Sequence, residues 1–183
     1  ISVVIGMMQK GVVRFEEIAW KNGQASVKII TDETDYTLQY QIGGIDDNNW
    51  INTTSGSIIS GLQFKDNVYG RLWSEYGESD PANATIEDKI APRVTVTQNG
   101  INTNSISVKA QAVDNESGMA DSVTYKYFVK QSSQPDTSYV QKGTDTTGNY
   151  TITGLTQGTS YDVKVEVTGD KAGNKGIGYL QNQ

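Results

Sequence analysis

Hydrophobic and polar residues alternate with a period of two along much of the chain. In Gln24 to Thr31, Ala25, Val27 and Ile29 alternate with Gln24, Ser26 and Lys28, and further on Tyr36, Leu38, Tyr40 and Ile42 alternate with Thr37, Gln39 and Gln41. The later half repeats the pattern. Ile106, Val108, Ala110 and Ala112 stand against Ser107, Lys109 and Gln111, and Tyr161, Val163, Val165 and Val167 against Asp162, Lys164 and Glu166. Successive side chains on a strand point to opposite faces, so each run predicts a strand with one face in a core and the other in water. No window carries an apolar stripe of helical spacing. Turn signals at Asn22-Gly23, Gly43-Gly44, Asn99-Gly100 and Gly143 separate runs that recur roughly every 8 to 12 residues, the rhythm of antiparallel sandwiches. The pattern predicts an all-β chain.

The two halves echo one another. Asn22-Gly23 followed by Val27-Lys28 answers Asn99-Gly100 followed by Val108-Lys109, and Asp80-Pro81-Ala82-Asn83 answers Asp170-Lys171-Ala172-Gly173-Asn174. The implied repeat of about 80 to 90 residues is the size of one sandwich. Charge divides at the same place, since residues 1 to 90 carry 13 acids and 7 bases, net −6, while residues 91 to 183 carry 8 of each. Ile86-Glu87-Asp88-Lys89-Ile90-Ala91-Pro92, a polar run meeting a proline, is the expected linker. Two tandem β-sandwiches, residues 1–90 and 91–183, are the economical reading. Ser2 to Met7, in the apolar tract that opens the chain, reads as an edge strand of the first sandwich or as a tail from a preceding element. The chain begins with Ile and shows no signal peptide, so it is expected to be a piece of something longer.

Composition removes several kinds of chemistry. The 183 residues include no His and no Cys, which excludes imidazole and thiol nucleophiles, Cys/His zinc sites and disulfides. A net charge of −6 argues against a nucleic-acid partner, whose phosphates are met by clustered Lys and Arg. No run approaches the roughly 18 apolar residues of a membrane-spanning helix, so membrane insertion by this segment is not expected. Carboxylate pairs such as Glu16 with Glu17, or Glu75 with Glu78, have the residue types of a glycosidase and nothing further of its site. Catalysis is not expected.

Gly154-Leu155-Thr156-Gln157-Gly158-Thr159-Ser160-Tyr161-Asp162-Val163-Lys164-Val165 places a Leu and a Gly-containing turn before a Tyr that opens an alternating Val strand. This stretch resembles the fibronectin type III signature, and the resemblance implies that Tyr161 forms a tyrosine corner whose phenol bonds back to upstream backbone. The early Trp usual in that family is absent, with Val108 and Ala110 on the corresponding strand, which marks a divergent relative. The first half, with Trp20-Lys21-Asn22-Gly23, Tyr36-Thr37-Leu38-Gln39-Tyr40, Trp50 and Val68-Tyr69-Gly70-Arg71-Leu72, resembles a bacterial immunoglobulin-like repeat. Together the resemblances imply a non-catalytic spacer or adhesive segment of a larger, secreted or surface-attached bacterial protein, working beside flanking domains of its own chain. An accessory carbohydrate-binding segment of a secreted polysaccharide-degrading enzyme and a virion or appendage decoration are the alternatives.

Three sets of residues are candidate sites. Tyr69, Arg71 and Trp73 share one strand face while Val68, Gly70 and Leu72 take the other. If the first face is outward it forms a strip able to stack on an extracellular glycan or a protein ligand, with Trp50 and Tyr76 as candidate extensions; otherwise Tyr69 and Trp73 are packing partners. Asp46 and Asp47 in one loop, and Asp114 and Glu116 in another, offer hard oxygen ligands of the kind calcium takes, and Asp88 at the linker could join a site between the domains. The other reading of both loops is an ordinary solvated turn. An isopeptide cross-link needs a buried Lys, whereas Lys28, Lys109 and Lys164 fall on the polar phase of their strands, together with Asp162. Sequons at Asn52, Asn83, Asn115 and Asn149 matter only in a glycosylating host.

Overall fold

Asn22 and Gly23 both take positive φ, 51° and 76°, the requirement of a two-residue type I′ turn. They join β1 (Val13–Lys21) to β2 (Gln24–Thr31), and the hairpin starts the first of two compact units in a computed structural model that describes residues 12–183. That unit ends at Asp88, and the second runs Lys89–Gln183. The expected strand at Ser2 to Met7 lies outside the described residues.

The first unit continues through β3 (Thr37–Ile42), β4 (Ile51–Thr53), β5 (Ile58–Leu62), β6 (Asn67–Ser74), β7 (Gly77–Glu78) and β8 (Ala82–Thr85). One sheet has the order β1-β2-β5; in the other, β4-β3-β6 is extended by β7 and β8, which pair successive parts of β6. Alternation decides which side chains lie between the sheets. Ala25, Val27 and Ile29 from β2 and Ile59 and Leu62 from β5 meet Leu38, Val68 and Leu72 from the other sheet, and Ile86 closes the cluster. Each fully buried Val, Leu or Ile contributes about 1.5 to 3 kcal/mol of transfer free energy, so this layer is the main source of stability.

The second unit has the same plan. β9 (Arg93–Asn102), β10 (Ser105–Val113) and β13 (Asn149–Thr153) form one sheet; β12 (Val140–Asp145), β11 (Met119–Gln131), β14 (Tyr161–Asp170) and β15 (Lys175–Leu180) form the other, in that order. In both units the first, second and fifth strands form one sheet, and the third, fourth, sixth and last belong to the opposing sheet, which in the first unit also contains β7. Val163, Val165 and Val167 are wholly buried, facing Ile106, Val108 and Ile152 in one cluster. The chain is all-β, as the alternation predicts, with a single 3-10 turn at Asp136–Ser138 as its only other regular element among the described residues.

Two predicted turns are bulges instead. Asn99-Gly100 lies inside β9, where the register jumps from Gly100 opposite Ser107 to Gln98 opposite Val108. Gly143 lies inside β12, opposite Tyr127, with a register shift to Gln141 opposite Phe128. A glycine marks a bulge as readily as a turn, and the local signal is the same. At Gly176 and Gly178 the requirement is space: a Cβ would come within 2.5 Å of the Pro92 carbonyl oxygen and 2.6 Å of the Val94 carbonyl oxygen. Both strands can approach this closely because the last strand lacks side chains there.

Tyr161 opens β14 with its ring buried and its phenol oxygen accepting the Thr156 N–H at 3.0 Å. This is the expected corner, and it satisfies a backbone donor in the connection between the two sheets. Tyr161→Phe is expected to lower the stability of the second unit by about 1 kcal/mol, the usual net value of one such bond. Gly178→Ala is expected to cost more, roughly 1 to 3 kcal/mol, through overpacking against Val94. Urea titrations of the full chain check both; a Tyr161→Phe midpoint equal to the parent's removes the corner as a stabilising bond.

Candidate functional site

The strand phase settles which way Tyr69, Arg71 and Trp73 point. Val68 and Leu72 are fully buried and Gly70 sits against Val13, Phe15 and Ile29, so the other three belong to the outer face of β6. They do not form one open strip. Arg71 is only 7% exposed. Its guanidinium lies 4.2 Å from the centre of the Trp50 ring, donates from Nε to Gln39 Oε1 at 2.9 Å, and pairs through Nη1 with Glu78. Gln39 in turn donates to Asn52 Oδ1 at 2.9 Å. The result is a polar ladder across β4, β3, β6 and β7, with Trp50 as its cover, and it engages the arginine in holding the sheet.

Trp73 stands at the open end of that face with 42% of its surface exposed. Together with Tyr36 and Tyr76, the latter 76% exposed, it lines an open depression of about 810 Å³ that also takes in Asp35, Thr37 and Glu75. Aromatic rings with polar neighbours at a concave surface can stack on apolar faces of a ligand and bond its hydroxyls or amides. A second open depression, about 600 Å³, is lined by Gln41, Ile45, Asp46, Trp50 and Ile51 among others. The Gln41 side-chain NH2 and the Trp50 indole N–H are buried there without hydrogen-bond partners. Trp50 thus belongs to this second depression and to Arg71, and Tyr76 to the Trp73 end.

The acidic loops differ from each other. Asp46 closes its own loop, accepting the Asn48 N–H at 3.0 Å and the Asn49 side-chain amide at 2.6 Å, while Asp47 is exposed and lies 3.9 Å from Arg71 Nη1. In the second unit Asp114 is 9% exposed and lies within 4.8 Å of Asp170, a residue the expected ligand set omits. Glu116 caps the neighbouring Asn115 N–H at 3.2 Å. Asp88 is buried at the end of the first unit. Of the glycosidase-type carboxylates, Glu16 pairs with Arg14, Glu17 with Lys28 and Glu78 with Arg71.

Among the described residues the buried lysine is Lys130, which the strand phases do not single out. Its ammonium reaches Asp162 Oδ2 at 2.8 Å and the Gln134 carbonyl at 2.9 Å, and Asp162 Oδ1 also accepts from Ser132 Oγ at 2.7 Å and the Asn182 N–H at 2.9 Å. Asp162 keeps the outward phase that alternation predicts, opposite Lys130, yet is buried because these donors gather around it at the start of β14. Burial opposes its charge, but Lys130, Asn182 and Ser132 outweigh burial and hold its carboxyl below the usual carboxylate range. The bond to Asp162 raises Lys130 in turn. In this geometry Lys130 and Asp162 form a buried, hydrogen-bonded ion pair. Lys164 pairs with Glu166 at 3.1 Å.

No family model matches the sequence, and no curated protein matches it. Among solved structures, a segment of two fibronectin type III domains from chicken tenascin is similar, with a TM-score of 0.52 at 13% identity over 93% of this chain and 97% of that one. The titin domains A168-A170 align with a TM-score of 0.40 at 17% identity, covering 87% of this chain and 58% of theirs. The FN1-FN3 domains of chicken CNTN1 align at 0.38 and 10% identity, covering 88% and 61%. At such identities the tenascin likeness establishes the fold, a tandem of fibronectin III or immunoglobulin-like sandwiches, as the sequence resemblance implies.

Arg71→Ala strands Glu78 and Gln39 and uncovers Trp50, and is expected to cost roughly 2 kcal/mol; Trp73→Ala, at an exposed edge, less than about 1 kcal/mol. Chemical denaturation of the two variants measures the difference, and equal costs would mean that the ladder is not what holds this sheet. The depressed Asp162 contributes stability that is complete above the unfolded-state value of about 4 and lost as the pH falls through its lower folded value. Asp162→Asn should therefore be destabilised at neutral pH and converge with the parent as the pH falls from about 5 to about 2. Melting curves across that range check the sign.

Proposed function

We propose that the chain is a non-catalytic spacer or adhesive segment of a larger extracellular protein, a bacterial surface or secreted one as the sequence resemblance implies. The observation that carries this reading is the same two-sheet pairing scheme built twice in tandem, with β7 as an extra short strand in the first unit. Inward positions of both units are taken up by core, and Arg71, Lys130, Glu16, Glu17 and Glu78 are engaged with partners of their own units, as expected where side-chain charge serves the sheet. No helix among the described residues is long and apolar enough to cross a membrane. In tandem sandwiches the recognition surfaces are the outer faces and end loops.

The alternative of a carbohydrate-binding segment is favoured by one feature, the depression formed by Tyr36, Trp73 and Tyr76. Aromatic rings there offer stacking faces of the size of a sugar ring. A glycan and extracellular-matrix array probed with the purified chain and with Trp73→Ala tests both readings. A hit lost in the folded variant, with Arg71 and its ladder untouched, assigns recognition to this end of the face. Retention of the hit in the variant removes the aromatic site, and silence of the parent across the array leaves the spacer reading without an adhesive part.

A further inference from the structure

We propose that the second unit holds a calcium-type divalent cation between Asp114, in the loop after β10, and Asp170, at the end of β14. The two carboxylates offer oxygens within 4.8 Å of one another, and both residues are almost fully buried, at 9% and 3% exposure. The loops that carry them are bonded together, the Lys171 N–H donating to the Gly118 carbonyl at 2.9 Å. Each carboxylate is also oriented by its own loop. Asp114 Oδ2 accepts the Gly118 N–H at 2.5 Å and the Ser117 hydroxyl at 3.3 Å; Asp170 Oδ1 accepts the Asn174 N–H at 2.7 Å and Oδ2 the Asn174 side-chain amide at 2.8 Å.

The other oxygen of Asp114 breaks the pattern. Asp114 Oδ1 is buried and has no hydrogen-bond partner, one of three such side-chain atoms among the described residues and the only one that belongs to a carboxylate. Leaving a carboxylate oxygen dry and unpaired beside a second carboxylate is costly twice over, through lost hydration and like-charge repulsion. A divalent cation removes both costs at once, and calcium tolerates the irregular set of carboxylates, carbonyls and water that two loops can supply, where magnesium asks for a strict octahedron. The Asp162 carboxylate is the internal comparison, because with similar burial it has a donor on each oxygen. Lys171, on the second of these loops, extends its ammonium over Gly118.

The test is calorimetric titration of the full chain, stripped with EDTA, with calcium chloride and in parallel with magnesium chloride, followed by melting in each. The expected result is one calcium per chain with a Kd of about 10⁻³ M or tighter, and a rise in Tm of about 5 °C or more at tenfold excess over Kd, with magnesium weaker. Asp114→Asn and Asp170→Asn should each abolish the heat, and Asp46→Asn, in the other acidic loop, should leave it intact. Should either loop variant fail to fold, amide spectra of the parent keep the question open to refutation: calcium must shift Gly118 and Asn174 and spare Asn48. No heat and superimposable melts in calcium and EDTA would overturn the site, as would binding that survives both substitutions or is lost in Asp46→Asn.

Discussion

Everything in this protein is arranged around one constraint, that alternate residues of nearly every long strand must enter a layer between two sheets. Val163, Val165 and Val167 are completely buried, and so are Val27, Ile29, Val68 and Leu72 in the first unit, to within 1%. At this packing density an inward position has room only for the side chain that fills it. Chemistry is thereby pushed to the outward faces and to the loops at the ends of the sandwiches. That is where Arg71, Lys130, Trp73 and Asp114 are found, and the period-two rule that builds the fold also determines where a site can lie.

Outward does not mean exposed, however. Arg71 and Lys130 are both under 10% exposed although each belongs to the polar phase of its strand. A charge so placed must be paired and hydrogen-bonded or it destabilises the fold. Arg71 meets this through Gln39, Glu78 and the Trp50 ring, and Lys130 through Asp162 and the Gln134 carbonyl. In both cases the pairing crosses strands, so the charge reports on register: a slip of one residue would take Arg71 away from Gln39, its direct neighbour in the ladder. These charged groups specify the sheets, and their participation in the fold is why they are poor candidates for contact with a ligand.

The fold could be read in the sequence because its signal is local and repeated. Alternation from Ala25 to Ile29 or from Tyr161 to Val167 needs no knowledge of the partner strand, and Tyr161 announces its corner by the Leu and Gly before it. Bulges were not legible, since Asn99-Gly100 and Gly143 have the composition of turns and only pairing with Ser107 and Tyr127 reveals them as interruptions within strands. The candidate sites were legible in part. Tyr69, Arg71 and Trp73 follow from strand phase, but that Trp50 covers Arg71, that Lys130 meets Asp162 across 32 residues, and that Asp170 joins Asp114 are facts of long-range pairing. Asp170 was visible as part of a repeated Asp-to-Asn turn, and nothing in its local sequence names the loop it faces.

The two units, finally, share a scaffold and not a surface. Their sixth strands, β6 and β14, occupy the same place in the pairing scheme, yet Tyr69 faces outward on the one and Tyr161 inward on the other. The outer face of the first unit carries aromatic rings and an arginine ladder, whereas the end loops of the second carry the close carboxylates. Had the repeat been maintained for a single ligand presented twice, the outward residues would have to match where the inward ones do. Here the inward positions keep their apolar character and the outward ones diverge in charge as well, net −6 for residues 1 to 90 and zero for residues 91 to 183. That division is what a modular scaffold permits, because packing fixes one residue in two and leaves each unit's outer surface to take a role of its own.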